Sequence, residues 1–218
     1  MQPHFTFHLE LQKLNKKLLL LSSMVEDRVR KAVKVIETHD EELIQSIIMS
    51  DYEIDEMEIE IEEDCLKILA LHQPVASDLR FLIAVIKINT EIERIADMAV
   101  SIAIRVQTIG NSNIINTSFD FSTMSEKVIQ MLKMSLDALV NRDAQKAREI
   151  FHIDDEVDTL RNQAYDAVKE MIRKNPDHPG RQINTYLLAR HLERIADRAT
   201  NIAEEVIYLV DGAIVRCP

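Results

Sequence analysis

Apolar residues recur along the chain at steps of three and four, the spacing that places them on one face of an amphipathic helix. One such stripe consists of Val85, Ile88, Ile92, Ile95, Ala99, Ile102 and Val106. The same stripe returns 100 residues later as Thr185, Leu188, Leu192, Ile195, Ala199, Ile202 and Val206. Two copies of one helical unit are therefore predicted.

A second pair of stripes precedes these two. Ile150, Ile153, Val157, Leu160, Ala164, Ala167 and Met171 form one of them, and Ile47, Ser50, Ile54, Met57, Ile61, Asp64 and Ile68 hold the counterpart positions at an offset of 103. Residues 57–62 alternate as a half-buried strand does, but their counterpart at 160–165 keeps helical spacing. Both segments are therefore predicted to be helical.

Helix boundaries follow from a few caps and breakers. His39-Asp40, Gln73-Pro74, Asn141-Arg142-Asp143 and Asn175-Pro176 divide the stripes into six long helices, at about 5–38, 41–72, 76–108, 121–141, 143–174 and 179–211. The predicted fold is all-α, with two tandem, pseudo-symmetric, antiparallel three-helix bundles. The first bundle covers residues 1–109, a linker covers 110–120, and the second bundle covers 121–218.

Composition supports long helices and narrows the possible partners. The chain has three glycines, five prolines, no tryptophan and 29% charged residues, a composition typical of long helices. Its formal net charge of −11 repels phosphate backbones, so nucleic acid is not an expected partner. The apolar run at 18–21 is far shorter than a membrane span of about 20 residues, and no secretory cleavage pattern follows it.

These features predict a cytoplasmic protein that is at most peripheral to a membrane. Cys65 and Cys217 belong to no paired motif and are expected to be reduced thiols. The basic run Arg28, Arg30, Lys31 and Lys34 is predicted to be exposed, either to contact an acidic partner or simply to face solvent.

Paired carboxylates are the candidate chemistry. The pentapeptide Glu-Arg-Ile-Ala-Asp occurs at 93–97 and again at 193–197. Its two acids are four residues apart and therefore lie one turn apart on one helix face. Like charges at that spacing cost an isolated helix about 0.2–0.5 kcal/mol, so a nearby cation is expected for Glu93 and Asp97, and for Glu193 and Asp197.

The middle helix of each unit repeats the arrangement. Asp51 and Asp55 are four residues apart, as are Asp154 and Asp158, and each follows a position of the core stripe. Four carboxylates per unit can therefore converge beside the buried seam, and such oxygen ligands suit magnesium, calcium, manganese or iron. The alternative is a solvated acidic face, because nine of the fourteen residues at 51–64 are acidic.

Catalytic motifs are missing from the sequence. Glu149 and His152 form a single Glu-x-x-His, whereas a di-iron oxidase of the ferritin-like type needs two on separate helices. The sequence has no glycine-rich phosphate loop, no nucleophile elbow and no His-Glu-x-x-His. The protein is therefore not expected to be an enzyme.

Several segments together resemble the PhoU family of phosphate-transport accessory and regulatory proteins. They are Leu-His-Gln-Pro-Val-Ala-Ser-Asp-Leu-Arg at 71–80, Ile-Glu-Arg-Ile-Ala-Asp at 92–97 with Ile102-Ala103, Leu-Glu-Arg-Ile-Ala-Asp at 192–197 with Ile202-Ala203, and the helices that carry Ile54-Asp55 and Val157-Asp158. The resemblance extends over essentially the whole chain.

The resemblance implies two similar three-helix bundles, no enzymatic activity, and a multinuclear iron or other divalent metal cluster. Iron is the first expectation, with magnesium, manganese or zinc as alternatives. The implied ligands are Glu93, Asp97, Glu193 and Asp197, with Asp51, Asp55, Asp154 and Asp158 on the facing helices. It also implies a negative regulator that links the ATPase subunit of a phosphate ABC transporter to a sensor histidine kinase, and we expect a homodimer.

The second unit departs from the family pattern in two places. The stretch Pro-Val-Ala-x-Asp-Leu-Arg is replaced there by Asn-Pro-Asp-His-Pro-Gly-Arg at 175–181, and Arg161 is the counterpart of Glu58. The first unit is therefore the favoured metal site. Two other readings stay open at this point, a carboxylate-bridged metal enzyme in a helical bundle and a purely structural helical scaffold.

Overall fold

The computed structural model describes residues 3–110 and 119–217, and within those two ranges the chain forms seven helices and no strand. The helices are α1 (Pro3–Thr38), α2 (Glu41–Met49), α3 (Asp51–His72), α4 (Ala76–Ile109), α5 (Phe121–Asn141), α6 (Ala144–Lys174) and α7 (Pro179–Asp211). The predicted all-α class is confirmed. Residues 111–118 of the predicted linker lie outside the described residues.

Local capping explains why the predicted ends lie within two residues of the observed ends. Asp40 begins α2 by accepting a hydrogen bond from the backbone N–H of Leu43 at 3.1 Å. Asp143 does the same for α6 through the N–H of Lys146 at 3.0 Å. Such side-chain caps satisfy N–H groups that have no partner within the helix, so they are readable from sequence.

One predicted helix, 41–72, is wrong in that it is interrupted at Ser50. Ser50 ends α2 with φ −89° and ψ 7°. Its carbonyl accepts a hydrogen bond from Arg28 at 2.5 Å, and its hydroxyl accepts another at 3.2 Å. Arg28 was predicted to be exposed with the basic run, but it is only 5% exposed, because it reaches inward from α1 to this break.

The helices form two units that share one core. α1, α3 and α4 pack together with α2 against α4, and α5, α6 and α7 form the second unit. α4 and α7 make the most extensive helix contact in the described part of the chain, and α1 also contacts α5. The buried apolar residues of both units belong to one continuous hydrophobic cluster.

α4 is buried on more than its predicted stripe. Leu82, Asn89 and Ala96 are buried on one side of that stripe, and Met98 is buried on the other. At 100° per residue, the buried positions extend over roughly 200° of the helix. A helix buried that widely packs against its own unit and against a second one.

None of the seven helices in the described part of the chain has the length and apolar character that a membrane span requires.

Candidate functional site

The first acidic patch consists of Asp51, Asp55 and Glu58 on α3 with Glu93 and Asp97 on α4. Burial raises the pKa of Glu93 to about 7, and the neighbouring charges of Asp97, Glu58 and Asp55 add to this effect. A carboxyl whose ionisation is opposed by three other carboxyls lies within electrostatic range of all of them. The structure therefore brings the predicted acids of the first unit together.

The pKa of Asp97 is raised by some of its surroundings and lowered by others. Burial is the largest cause of the increase, and the charges of Asp51 and Asp55 add to it, whereas the charge of Arg28 lowers the pKa. Its hydrogen bond with Glu93 also lowers its pKa. Arg28 donates to Asp51 at 2.5 Å, so one edge of the patch already holds a nearly buried cation.

Glu58 belongs to the patch, although the sequence analysis did not place it among the expected ligands. Burial raises its pKa, followed by the charges of Glu62 and Asp55. The backbone carbonyl of Glu58 accepts a hydrogen bond at 2.9 Å from Asn89, a fully buried residue of α4. This bond joins α3 to α4 beside the patch. Glu58 follows Asp55 by three residues, and this spacing is the sequence signal that places the two side chains on the same helix face.

The second acidic patch consists of Asp154 and Asp158 on α6 with Glu193 and Asp197 on α7. Burial raises the pKa of Asp154 to about 6, and the next largest causes are the charges of Asp197 and Asp158. Burial likewise raises the pKa of Glu193, and Asp197 adds to it. All four predicted acids of the second unit therefore lie together as well.

A fixed cation occupies the second patch. Arg161 Nη2 lies 3.3 Å from Asp158 Oδ1, and Arg161 Nε lies 3.6 Å from Glu193 Oε1. Arg161 stands at the position of Glu58 in the first unit, whereas Arg28 of the first unit corresponds to Met131 in the second. The first patch thus has a fifth carboxyl where the second has a guanidinium. This difference is consistent with the first unit being the favoured metal site.

A cleft of about 700 Å³ lies between α4 and α7, next to the second patch. Asp154 and Asp197 line it. Glu91 of α4 crosses to α7, where it accepts hydrogen bonds from Arg198 and Asn201, both at 3.1 Å. Glu91 also pairs with Arg94 on its own helix at 3.0 Å, so one partly buried carboxylate pairs with two arginines here.

The segment after α7 folds back over this cleft. Glu204, which is 7% exposed, accepts hydrogen bonds from the side chain of Arg216 and from the backbone N–H of Cys217, both at 2.6 Å. The Cys217 thiol lies 3.9 Å from Asp154. The sequence carries no signal for this approach. Cys65 and Cys217 are free, as expected, and burial raises the pKa of Cys65 to about 12.

The donor set of both patches is made of carboxylate oxygens, which hard and borderline cations prefer. Neighbouring carboxylates raise the pKa of Glu93 and of Asp154, and a bound cation would oppose this effect. As the side chains stand, no three His, Cys, Asp or Glu residues in 3–110 and 119–217 form a group that could hold a metal ion. Metal ligation by the eight predicted acids therefore stays a prediction.

Comparison with known families identifies the fold. The model of the PhoU domain matches the chain twice, at residues 18–106 and at 121–206. The chain belongs to the PhoU family. The two matches begin 103 residues apart and end 100 residues apart, which are the offsets predicted for the middle and the last helices of the repeat. The family resemblance read from the sequence is confirmed.

Individual relatives agree with the domain match. The PhoU homologue of Clostridium acetobutylicum, named a phosphate-specific transport system accessory protein, is 34% identical over 94% of both chains. The crystal structure of PhoU from Pseudomonas aeruginosa has a TM-score of 0.88 and 33% identity, covering 95% of this chain and 100% of that one. A phosphate transport system regulatory protein, PhoU from Streptococcus pneumoniae, has a TM-score of 0.83 and 31% identity, with 96% and 99% covered.

Proposed function

We propose that this protein is a metal-binding, cytoplasmic regulator of phosphate uptake and of phosphate-responsive signalling. In this role it is an adaptor between the ATPase subunit of a phosphate ABC transporter and a sensor histidine kinase, and it represses uptake when phosphate is plentiful. Family membership across both units supports the link to phosphate. The names of the relatives, accessory and regulatory proteins of phosphate transport, support a regulatory rather than an enzymatic role.

The observation that carries the metal-binding part is the duplicated patch of acids, in which burial and neighbouring carboxylates raise the pKa of Glu93 in the first unit and of Asp154 in the second. In the first unit, Asp51, Asp55, Glu58, Glu93 and Asp97 would hold iron, magnesium, manganese or zinc. The ion would supply positive charge that relieves repulsion among these carboxyls. Because the acids come from α3 and α4, they would tie these two helices to each other through the ion.

Elemental analysis of the purified protein tests the metal-binding proposal. We expect wild type to carry iron or another divalent metal, and Glu93→Ala/Asp97→Ala to lose most of the metal held by the first patch. The loss is expected to exceed that of Glu193→Ala/Asp197→Ala, because the second patch has the guanidinium of Arg161 where the first patch has the carboxyl of Glu58.

Asp166→Ala/Glu170→Ala is the matched control. These two acids also lie four residues apart, but on α6 outside both patches, so this variant should keep the metal content of wild type. Equal, near-zero metal in wild type and in all three variants would remove the metal-binding part of the proposal.

A phosphate-responsive reporter in a strain that lacks the gene tests the regulatory part separately. The wild-type chain is expected to restore repression at high phosphate, and Glu93→Ala/Asp97→Ala to restore it poorly. A reporter that ignores the presence of the protein at every phosphate level would contradict a regulatory role, whatever the metal content.

A further inference from the structure

The outer face of α3 carries an apolar stripe that nothing in the described chain covers. Tyr52 is 59% exposed, Ile59 is 53% exposed and Leu66 is 54% exposed. They are seven residues apart, so they lie along one line of the helix. Single exposed apolar residues are common on protein surfaces, but a regular line of three on one helix indicates a contact surface.

Two glutamates complete the line. Glu56 and Glu63 are exposed and lie on the same face, four residues after Tyr52 and Ile59 respectively. The order Tyr52, Glu56, Ile59, Glu63, Leu66 has the alternating steps of four and three that form the seam of a coiled coil. We call these five residues the outer seam.

The second unit supplies an internal comparison. At the offset of 103, the outer seam corresponds to Asp155, Thr159, Asn162, Asp166 and Lys169, all of them exposed and polar. α6 thus holds the same place in the same fold without an apolar seam. The fold does not require apolar residues on this face, so their presence on α3 needs a reason outside the chain.

Charge decides what can cover the outer seam. If two copies of the chain paired through this face, Glu56 and Glu63 of each would approach the same acidic helix, in which nine of the fourteen residues at 51–64 are acidic. Like charges across such a seam oppose association, whereas Lys or Arg opposite Glu favours it. A second copy is therefore a poor occupant, and a basic helix is a good one.

We propose that the outer seam of α3 docks one amphipathic helix of a partner protein, with an apolar stripe interleaved with Lys or Arg. This docking site rests on the adaptor role proposed above, because an adaptor protein needs a surface that binds a partner. Apolar residues at Tyr52, Ile59 and Leu66 supply contact area, and Glu56 and Glu63 select the charge and the register of the incoming helix.

A labelled peptide of about three heptads tests the proposal, with Leu on its seam and Lys at the positions facing Glu56 and Glu63. The test variant Tyr52→Asp/Ile59→Asn/Leu66→Lys places the residues of α6 on α3 and leaves the net charge unchanged. Fluorescence anisotropy in EDTA is expected to show wild type binding the peptide at least about tenfold more tightly than the variant.

Two controls separate the seam from general attraction of a basic peptide to an acidic protein. A peptide with Glu in place of Lys is expected to bind weakly to wild type. Replacing Ile104, Val140 and Ile183 by Ser removes three exposed apolar residues on other helices and is expected to leave binding unchanged. Circular dichroism checks the helix content of each variant, and Ile59→Asn alone provides a milder change that should weaken binding in part.

Three outcomes would overturn the proposal. Binding of the Lys peptide that is equal in wild type and in the triple variant would place the contact elsewhere. Equal binding of the Lys and Glu peptides would remove the charge selection. A wild-type dimer in sedimentation that the triple variant loses would assign the seam to a second copy. Because EDTA is present throughout, these results do not depend on whether the acidic patches bind metal.

Discussion

Glu93 keeps its proton to unusually high pH because it is partly buried beside other carboxyls. Its pKa is about 7, compared with an ordinary value of 4.5. Between these two pH values the folded state holds a proton that the unfolded state has released. Stability therefore falls as the pH rises across this window. Asp154, with a pKa of about 6 compared with 3.8, contributes in the same direction over a lower window.

We therefore expect metal-free wild type to have a lower Tm at pH 8 than at pH 5, and Glu93→Gln to lose part of that difference. Glutamine keeps the size of the side chain but has no proton to release, while Asp154 still causes a smaller decline. Thermal melts followed by circular dichroism in EDTA measure the effect. Glu56→Gln, an exposed position on α3, serves as the control and should melt with the wild-type pH dependence.

Glu93 also links pH to metal binding. Protons and cations compete for carboxylates, so added divalent metal should raise Tm more at pH 8 than at pH 5.

The metal-free melts also have an outcome that would contradict the role of Glu93. If Glu93→Gln shows the full decline of Tm with pH that wild type shows, another group causes that decline.

At the scale of elements, the break between α2 and α3 depends on Arg28. Its guanidinium donates to the Ser50 carbonyl and to Asp51, both at 2.5 Å. It thereby satisfies a carbonyl at the end of α2 and a carboxylate at the start of α3. The equivalent position of the second unit holds Met131, which is fully buried, and α6 runs through the corresponding region without a break.

We expect Arg28→Met to lower the free energy of unfolding by about 1.5–3 kcal/mol, the usual range for a lost hydrogen bond to a charged group. The methionine can fill the space, but it leaves Asp51 without its cation. Urea unfolding measures the change. The control Arg30→Met removes the ion pair between Arg30 and Glu26, in which the Arg30 side chain is 47% exposed. Its loss should lower the free energy of unfolding by only about 0.3–0.5 kcal/mol. Equal losses in the two variants would contradict a special role for Arg28.

Capping residues and prolines predicted most helix ends, and the break at Ser50 was missed for a physical reason. Asp40, Asp143 and the prolines act on their own helix ends, so their effect is visible in sequence. Ser50 occupies a regular stripe position and carries no helix-breaking signal. The break is stabilised by Arg28, 22 residues earlier, and that contact exists only once α1 packs against α3.

At the scale of the whole molecule, α4 and α7 join the two units. They run antiparallel, and Lys87 pairs with Glu205 at 2.9 Å while Glu91 pairs with Arg198 at 3.1 Å. α4 is buried over roughly 200° of its circumference by the 100° step per residue. Sequence repeats suggested two bundles at 1–109 and 121–218, but their apolar residues share one core.

A fragment of residues 1–110 is therefore expected to aggregate or to melt well below the full chain, because removing α7 exposes apolar positions of α4. Co-expression with residues 111–218 should restore a soluble one-to-one complex. Size-exclusion chromatography and thermal melts measure both. A monomeric 1–110 fragment that melts cooperatively at the Tm of the full chain would show instead that the first unit is an independent domain.

The two acidic patches were largely predictable because the duplication repeats each acid pair at an equivalent place. The surroundings of the patches were not. Arg28 was predicted to face solvent, and neither the cationic contacts of Arg161 nor the approach of Cys217 to Asp154 has a sequence signal. These are contacts between residues far apart in the chain, and their distances depend on how the helices pack.

The sequence by itself determined the class, the repeat and most helix ends, because apolar spacing, caps and prolines act within a few residues of where they stand. It also determined which acids share a helix face. Only the tertiary structure decided that the units share a core through α4 and α7, that Arg28 is buried at the Ser50 break, and that the outer seam of α3 stays uncovered. Burial and charge contact are properties of packed helices, and no single helix carries them.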